Sequence, residues 1–330
     1  MGSPRRFLVL ALTVSLGGFL VGGGARTSFA LFGDQETTDT TISTAACFAP
    51  TDVVAPSVSS TVISKTVLYV PGYVRQGGTY YGYANVADAG CIPSGISTVT
   101  ANVSTVTTGQ TAVALVAGSY TVGGVSYNYR SASLTANTTL AEGSKAYTIT
   151  STDVATNSQT QSGYSVTVDN TRPTGTDIQI TNGGATAGKP EIADVVTYTF
   201  SEPIDPEKVL AGWTGASTGV VVRVAHNTYG DRVTIRNAAN SVQLPFGTVN
   251  LFGVNYVTVN RDFGATGTAS TMVASGNTIT VTLGTASGAT GTETATNQAT
   301  WVPTITLTDR AGNACQTTTA TETGGGDFEF

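Results

Sequence analysis

From about residue 50 onward the chain is built of short runs in which apolar and polar residues alternate. Tyr147-Thr148-Ile149-Thr150, Tyr164-Ser165-Val166-Thr167-Val168 and Val196-Thr197-Tyr198-Thr199-Phe200 are early examples. Val220-Val221-Val222-Arg223-Val224, Val233-Thr234-Ile235, Ile279-Thr280-Val281-Thr282-Leu283 and Ile305-Thr306-Leu307-Thr308 follow. Apolar residues at i, i+2 and i+4 put one face of a strand in a core and the other towards solvent. Clusters of Gly, Asn and Asp punctuate the runs, as turns between strands require. No helical period lasts more than a turn or two, and Asp205 to Ala211 is the best short candidate. The pattern predicts an all-β protein, a sandwich or barrel of short antiparallel strands.

Two proline-bearing stretches divide this pattern. Asp52-Val53-Val54-Ala55-Pro56 leads into the first half, and Asp169-Asn170-Thr171-Arg172-Pro173-Thr174 separates it from the second. Proline fixes its own φ and pushes the residue before it into an extended conformation, so each stretch reads as a short stiff joint. The expected organisation is a β-sandwich over 51–173, a second over 174–321, and a flexible Gly-rich tail over 322–330.

The first 50 residues differ. Arg5-Arg6 precede an apolar run from Phe7 to Val21, and Ser28-Phe29-Ala30 has the small-residue form of a cleavage site. Length and flanks suit a signal peptide over 1–30 better than a membrane anchor. Arg5-Arg6 also looks like a twin-arginine signal, so either export route fits. Residues 31–50 then form a leader or linker. Cys47 lies too far downstream of the apolar run for a lipoprotein box. The expectation is a secreted or surface protein with no stable membrane span once the signal is removed.

Charge narrows the partners. Charged residues are only 11% of the chain, so Thr, Ser, Asn and Gly must carry much of its solubility. The first 30 residues contain three arginines and no acid. Their removal leaves 12 basic and 21 acidic residues, a net charge of −9. That disfavours nucleic acid, which needs a basic patch, and an anionic membrane surface.

Several phrases resemble known modules. Ala146-Tyr147-Thr148-Ile149-Thr150-Ser151-Thr152-Asp153-Val154-Ala155-Thr156-Asn157 resembles a strand of bacterial immunoglobulin-like repeats. Val166 to Thr174 resembles their linker. Tyr198-Thr199-Phe200-Ser201-Glu202-Pro203-Ile204-Asp205-Pro206 and Thr306-Leu307-Thr308-Asp309-Arg310-Ala311-Gly312-Asn313-Ala314 resemble the opening and closing strands of another bacterial immunoglobulin-like family. Leu31-Phe32-Gly33-Asp34-Gln35-Glu36-Thr37-Thr38 is similar to the stretch after the signal in proteins processed by the SipW-type peptidase, such as matrix proteins of the TasA and camelysin type. It departs from them at Gly33 and Gln35. The resemblance implies two tandem immunoglobulin-like β-sandwich domains after a signal peptide. It implies a structural or adhesive role, with the protein itself, other envelope or matrix proteins, or glycans as partners. Such modules also serve as spacers and enzyme appendages, so the fold alone does not assign a role.

Candidate chemistry is sparse. Cys47 and Cys91 are a candidate disulfide pair in the first half, which leaves Cys315 over. Asp153, Asp169 and Asp309 are candidate calcium ligands at turns and at the joint, although Asp also caps turns without any ion. Tyr80, Tyr81 and Tyr83 are a candidate sugar- or protein-binding surface. Core packing of the same residues is the competing reading. Gly215-Ala216-Ser217-Thr218-Gly219 spells a nucleophile motif, but a strand follows it where a helix is required. Gly183 to Lys189 spells a phosphate-loop pattern, with Pro190 in place of the required Ser or Thr. No catalytic residue and no cofactor other than calcium is expected, and the chain reads as a non-enzyme.

Overall fold

The computed structural model describes residues 51–65 and 70–330. The expected signal peptide over 1–30, the expected leader over 31–50 and Cys47 lie outside the described residues. In the first half the alternating runs form β1 (Ser57–Ser64), β2 (Tyr73–Val74), β3 (Thr79–Ala87), β4 (Ile96–Asn102), β5 (Val113–Val122), β6 (Val125–Ser131), β7 (Leu134–Thr135), β8 (Gly143–Asp153) and β9 (Ser158–Val168). In the second half they form β10 (Gly175–Thr181), β11 (Val195–Phe200), β12 (Thr218–Ala225), β13 (Arg232–Asn237), β14 (Thr248–Asn250), β15 (Arg261–Phe263), β16 (Ser270–Ser275), β17 (Thr278–Thr282), β18 (Thr300–Val302) and β19 (Ala320–Thr321). The fold is all-β, with two sheets in a sandwich- or barrel-like arrangement.

The first sheet runs β1-β3-β6-β5-β4-β8-β9-β2, and the second runs β10-β11-β17-β16-β12-β13-β14-β18-β19. Pairing is antiparallel except between β2 and β9. Long strands turn corners by changing partner. Val113 and Ala114 of β5 pair with β4, while its later residues pair with β6. The same happens in β12, where Thr218 to Val220 pair with β16 and Val222 to Val224 with β15. Each sheet thereby curls over its own apolar core.

Register follows from the alternation. Val196, Tyr198 and Phe200 of β11 point inward, and Val196 and Tyr198 face Val281 and Ile279 of β17. A slip by one residue would turn this set out to water, so the pairing is strongly specified. The valine run in β12 has another reason. Val220, Val221, Val222 and Val224 are all buried, because β12 is covered on both faces and paired on both edges.

One core gathers Val58, Ile63, Tyr80, Val99, Ile149, Val166 and their neighbours, and the other gathers Ile178, Tyr198, Val222, Phe246, Trp301 and theirs. Both belong to one compact unit. Among the described residues the only helix is α1 (Pro206–Val209), a single turn shorter than the pattern suggested. Asp205 caps it by accepting from the Glu207 amide, and Pro206 begins it. Leu210 then returns to extended backbone.

One expectation is corrected. Residues 322–330 are not a loose tail. Glu329 and Phe330 are fully buried, Asp327 and Asn297 exchange backbone hydrogen bonds of 2.9 Å, and the Gly188 amide donates to the Phe330 carbonyl at 2.7 Å. The glycine run makes a tight return. Gly324 and Gly325 have φ of +104° and +107°, which residues with a Cβ rarely adopt. A Cβ on Gly326 would sit 2.9 Å from the Asn297 carbonyl oxygen.

Candidate functional site

Each half carries the same closing turn. In the first, Asp153 Oδ1 accepts from the Asn157 amide at 2.7 Å and Oδ2 from Asn157 Nδ2 at 2.7 Å. In the second, Asp309 does the same with Asn313, at 2.8 and 2.7 Å. Each asparagine side chain then reaches the segment that leads into its own half. Asn157 Nδ2 donates to the Asp52 carbonyl at 3.2 Å, and Asn313 Nδ2 to the Asp169 carbonyl at 2.8 Å. Asp52 and Asp169 both begin an Asp-x-x-x-Pro stretch, ending at Pro56 and Pro173.

A third acid completes each group. Asp88 follows the end of β3, and Glu202 follows the end of β11. Asp52, Asp88 and Asp153 form one node, and Asp169, Glu202 and Asp309 the other, with an oxygen from each within 4.8 Å of the others. The candidate calcium ligands Asp153, Asp169 and Asp309 are thus divided between two similar nodes. Sequence reasoning missed Asp52, Asp88 and Glu202. The repeated Asp-x-x-x-Pro was a visible sign of the first, but only the fold brings the third acid in.

The electrostatics of the nodes follow from burial. Burial pushes Glu202 up to about 7, helped by the negative charges of Asp169 and Asp309. Burial also raises Asp309, against the hydrogen bonds it accepts from Asn313 and Gly312. Asp52 is half-buried and moves the other way, lowered by the amides of Val54 and Ser94. All-oxygen donors of this kind suit a hard cation. Asp153 and Asp309, however, already spend both oxygens on the closing turn, so capping is their demonstrated work.

The joint between the halves is laced. Arg172 donates from Nε to the Ala314 carbonyl at 2.8 Å and from Nη2 to the Cys315 carbonyl at 3.0 Å. Lys65, from the first half, pairs with the buried Asp205 at 2.8 Å and donates to the Asp309 carbonyl at 3.0 Å. Arg310 lies over the Tyr73 ring, 5.8 Å from its centroid.

The tyrosine surface is corrected. Tyr80 and Tyr83 are completely buried and Tyr81 is half-buried. Tyr80 enters the main core of the first half. Tyr83 packs outside that core, in a small cluster with Val122 and Tyr127, with Tyr81 and Tyr120 packed against it. Arg130 stands over the rings of Tyr81 and Tyr120, at 5.1 and 4.5 Å. Alternation places residues on opposite faces, but it does not say whether the outer face is covered.

The catalytic-looking motifs have other roles. The Gly183 and Gly184 amides donate to Asp194 Oδ1, and the Ala185 and Thr186 amides to Glu191 Oε2. The amides that would cradle a phosphate are therefore occupied by the chain's own carboxylates. Strand β12 begins at Thr218, so the elbow-and-helix setting of a nucleophilic serine is not formed at Ser217. His226 Nδ1 lies 3.1 Å from Asp231 Oδ1. Asp231 also accepts from the Asn227 and Val257 amides, which makes it an organiser of its loop.

No protein-family model matches the chain, and no curated protein matches it.

Proposed function

We propose that this is an exported, non-catalytic structural protein, in which two immunoglobulin-like β-sandwich modules act as a stiff spacer at the cell surface or in the extracellular matrix. The observation that carries this reading is the laced joint at 169–174. A flexible linker leaves its backbone to water. Here Asp169, Arg172 and Pro173 are each bonded to residues 313–316 of the second half, Pro173 by accepting from the Gln316 amide at 2.8 Å. Catalysis has no comparable support, because the Ser217 and Gly183 motifs lack the local geometry their chemistry needs. A glycan platform on Tyr80, Tyr81 and Tyr83 loses its main faces to burial.

Assembly by strand addition is opposed at the outer strands. The Val58 amide of β1 is taken by the Gln161 side chain. Just after β19, the Thr323 amide is taken by the Asp177 side chain of β10 at 2.9 Å. Side chains that occupy edge groups discourage pairing with another chain. Antibody labelling of intact cells should detect the protein outside. Limited proteolysis should leave 169–174 uncut in the native protein and cut in Asn313→Ala, which removes bonds worth about 1–3 kcal/mol in all. A protein confined to the cell interior, or a joint cut as readily in the native protein as in the variant, would overturn the reading.

The same proposal includes a Cys47–Cys91 disulfide. Cys91 lines a small pocket with Thr51, Asp52, Val53 and Val54, so the chain just after Cys47 passes beside it. Cys315 is buried and free in the other half, its thiol pushed up to about 11 by burial. Peptide mapping without reductant should return a linked Cys47–Cys91 peptide and an unlinked Cys315. Finding Cys47 and Cys91 both alkylated in the native protein would remove the bridge.

A further inference from the structure

We propose that Glu322, Asp327 and Glu329 form a binding site for a hard divalent cation of the calcium class, which clasps the last residues of the sequence against the strand that carries Trp301. The three side chains each offer an oxygen within 4.8 Å of the others. Their arrangement differs from the nodes at the closing turns. Glu322 is 2% exposed and Glu329 0% exposed, and each uses one oxygen on the same donor. The Ala299 amide donates to Glu322 Oε2 at 3.1 Å and to Glu329 Oε1 at 2.9 Å. Each keeps its second oxygen, Glu322 Oε1 and Glu329 Oε2, buried where no other donor reaches it, and the two glutamate side chains face each other.

Two buried carboxylates with idle oxygens are costly unless something positive lies between them. None of the ion pairs among the described residues reaches these three acids. Asp327 is exposed and stands at the open side, and Asp177 adds a fourth negative charge nearby. A cation with oxygen preference supplies the missing charge and takes the idle oxygens, with water filling its remaining positions.

The backbone prepares the site. The Glu322 amide donates to the Ala299 carbonyl at 2.9 Å, and Asp327 is bridged to Asn297. The return through Gly324 to Gly326 then brings Glu329 back beside Glu322. The site thus ties residues 322–329 to 297–299, and an ion there would lock the segment that covers one end of the second core. The Phe330 ring is set against Tyr256, with centroids 5.6 Å apart.

The test is thermal unfolding of the chelator-treated protein at pH 8, with and without calcium chloride. Calcium at about a hundred times its dissociation constant should raise Tm by about 5–10 °C. Glu329→Gln and Glu322→Gln should each lose that rise, whereas Asp309→Asn, which alters the node at the joint, should keep it. On the unaltered protein, calcium should shift the amide resonances of Ala299, Glu322 and Glu329. That readout does not depend on the variants folding. No calcium response in the native protein, a full response in Glu329→Gln, or resonance shifts confined to the closing-turn nodes would each overturn the proposal. The first result would mean that the two glutamates share a proton instead.

Discussion

Trp301→Ala is expected to destabilise the protein by about 3–5 kcal/mol, the range for emptying a well-packed aromatic site. Trp301 is fully buried and stands at the centre of the second core. Its ring meets Tyr198 and Phe200 edge-on, each with centroids 5.0 Å away, and Tyr198 in turn stacks on Phe246 at 4.6 Å. Its Nε1 donates to the Phe246 carbonyl at 2.6 Å. Gly175 opens the room for it, since a Cβ there would lie 2.6 Å from Trp301 Cζ3. Collapse around the gap is hindered because the backbone on both sides is paired, Trp301 with Val249 and with Ala320. Trp301→Phe keeps most of the apolar contact but leaves the Phe246 carbonyl without its donor, and should cost about 1–3 kcal/mol. Urea unfolding followed by circular dichroism measures both. A loss under about 1 kcal/mol for the alanine variant would show that this cluster does not organise the core.

Glu293→Ala should cost roughly 1.5–3 kcal/mol, for a different reason. Glu293 is nearly buried, and its carboxylate sits in a cup of amides. Oε1 accepts from the Thr294 and Ala295 amides at 2.9 and 3.1 Å, and Oε2 from Val254 and Asn255 at 3.1 and 3.3 Å. Asn255 Nδ2 adds a contact of 3.2 Å. Alanine would leave these partly covered donors without the carboxylate that gathers them. Burial by itself would raise the Glu293 pKa, but the amides of Ala295 and Thr294, with Asn255 and Val254, outweigh it and hold it below the usual glutamate value. A folded-state pKa below the unfolded one contributes stability that is present above the unfolded value, near 4.5, and is lost as pH falls through the folded value. Urea midpoints at pH 7 and at pH 3 should therefore converge in Glu293→Gln relative to the native protein. An unchanged pH dependence in that variant would refute the account.

The strands were legible where alternation was clean. β8, β11, β12 and β17 lie where the Thr- and Val-rich runs placed them. The joint at 169–174 falls between β9 and β10, because proline and turn residues act locally and need no distant partner. The carboxylates were half legible. Asp153, Asp169 and Asp309 stood out at turns, yet Asp88 and Glu202 join them only because β3 and β11 end beside the closing turns. Glu293 gave no sign at all, since its partners at Val254 and Asn255 lie across a loop far away in the chain.

The sequence by itself determined that the described chain is all-β, where most strands run and where the stretch between its two halves falls. These depend on periodicity and on backbone restrictions that each residue carries with it. Only the tertiary structure decided which polar and aromatic groups are buried. Tyr83 and Glu329 look like surface residues until Tyr81, Tyr120 and Tyr127 pack around the one, and the glycine return at Gly324 to Gly326 folds the other inward. Burial depends on what a distant segment covers, and that is why Tyr80 and Tyr83 of the candidate surface and Glu329 and Phe330 of the expected tail lie inside, while three acids of that segment form the candidate cation site.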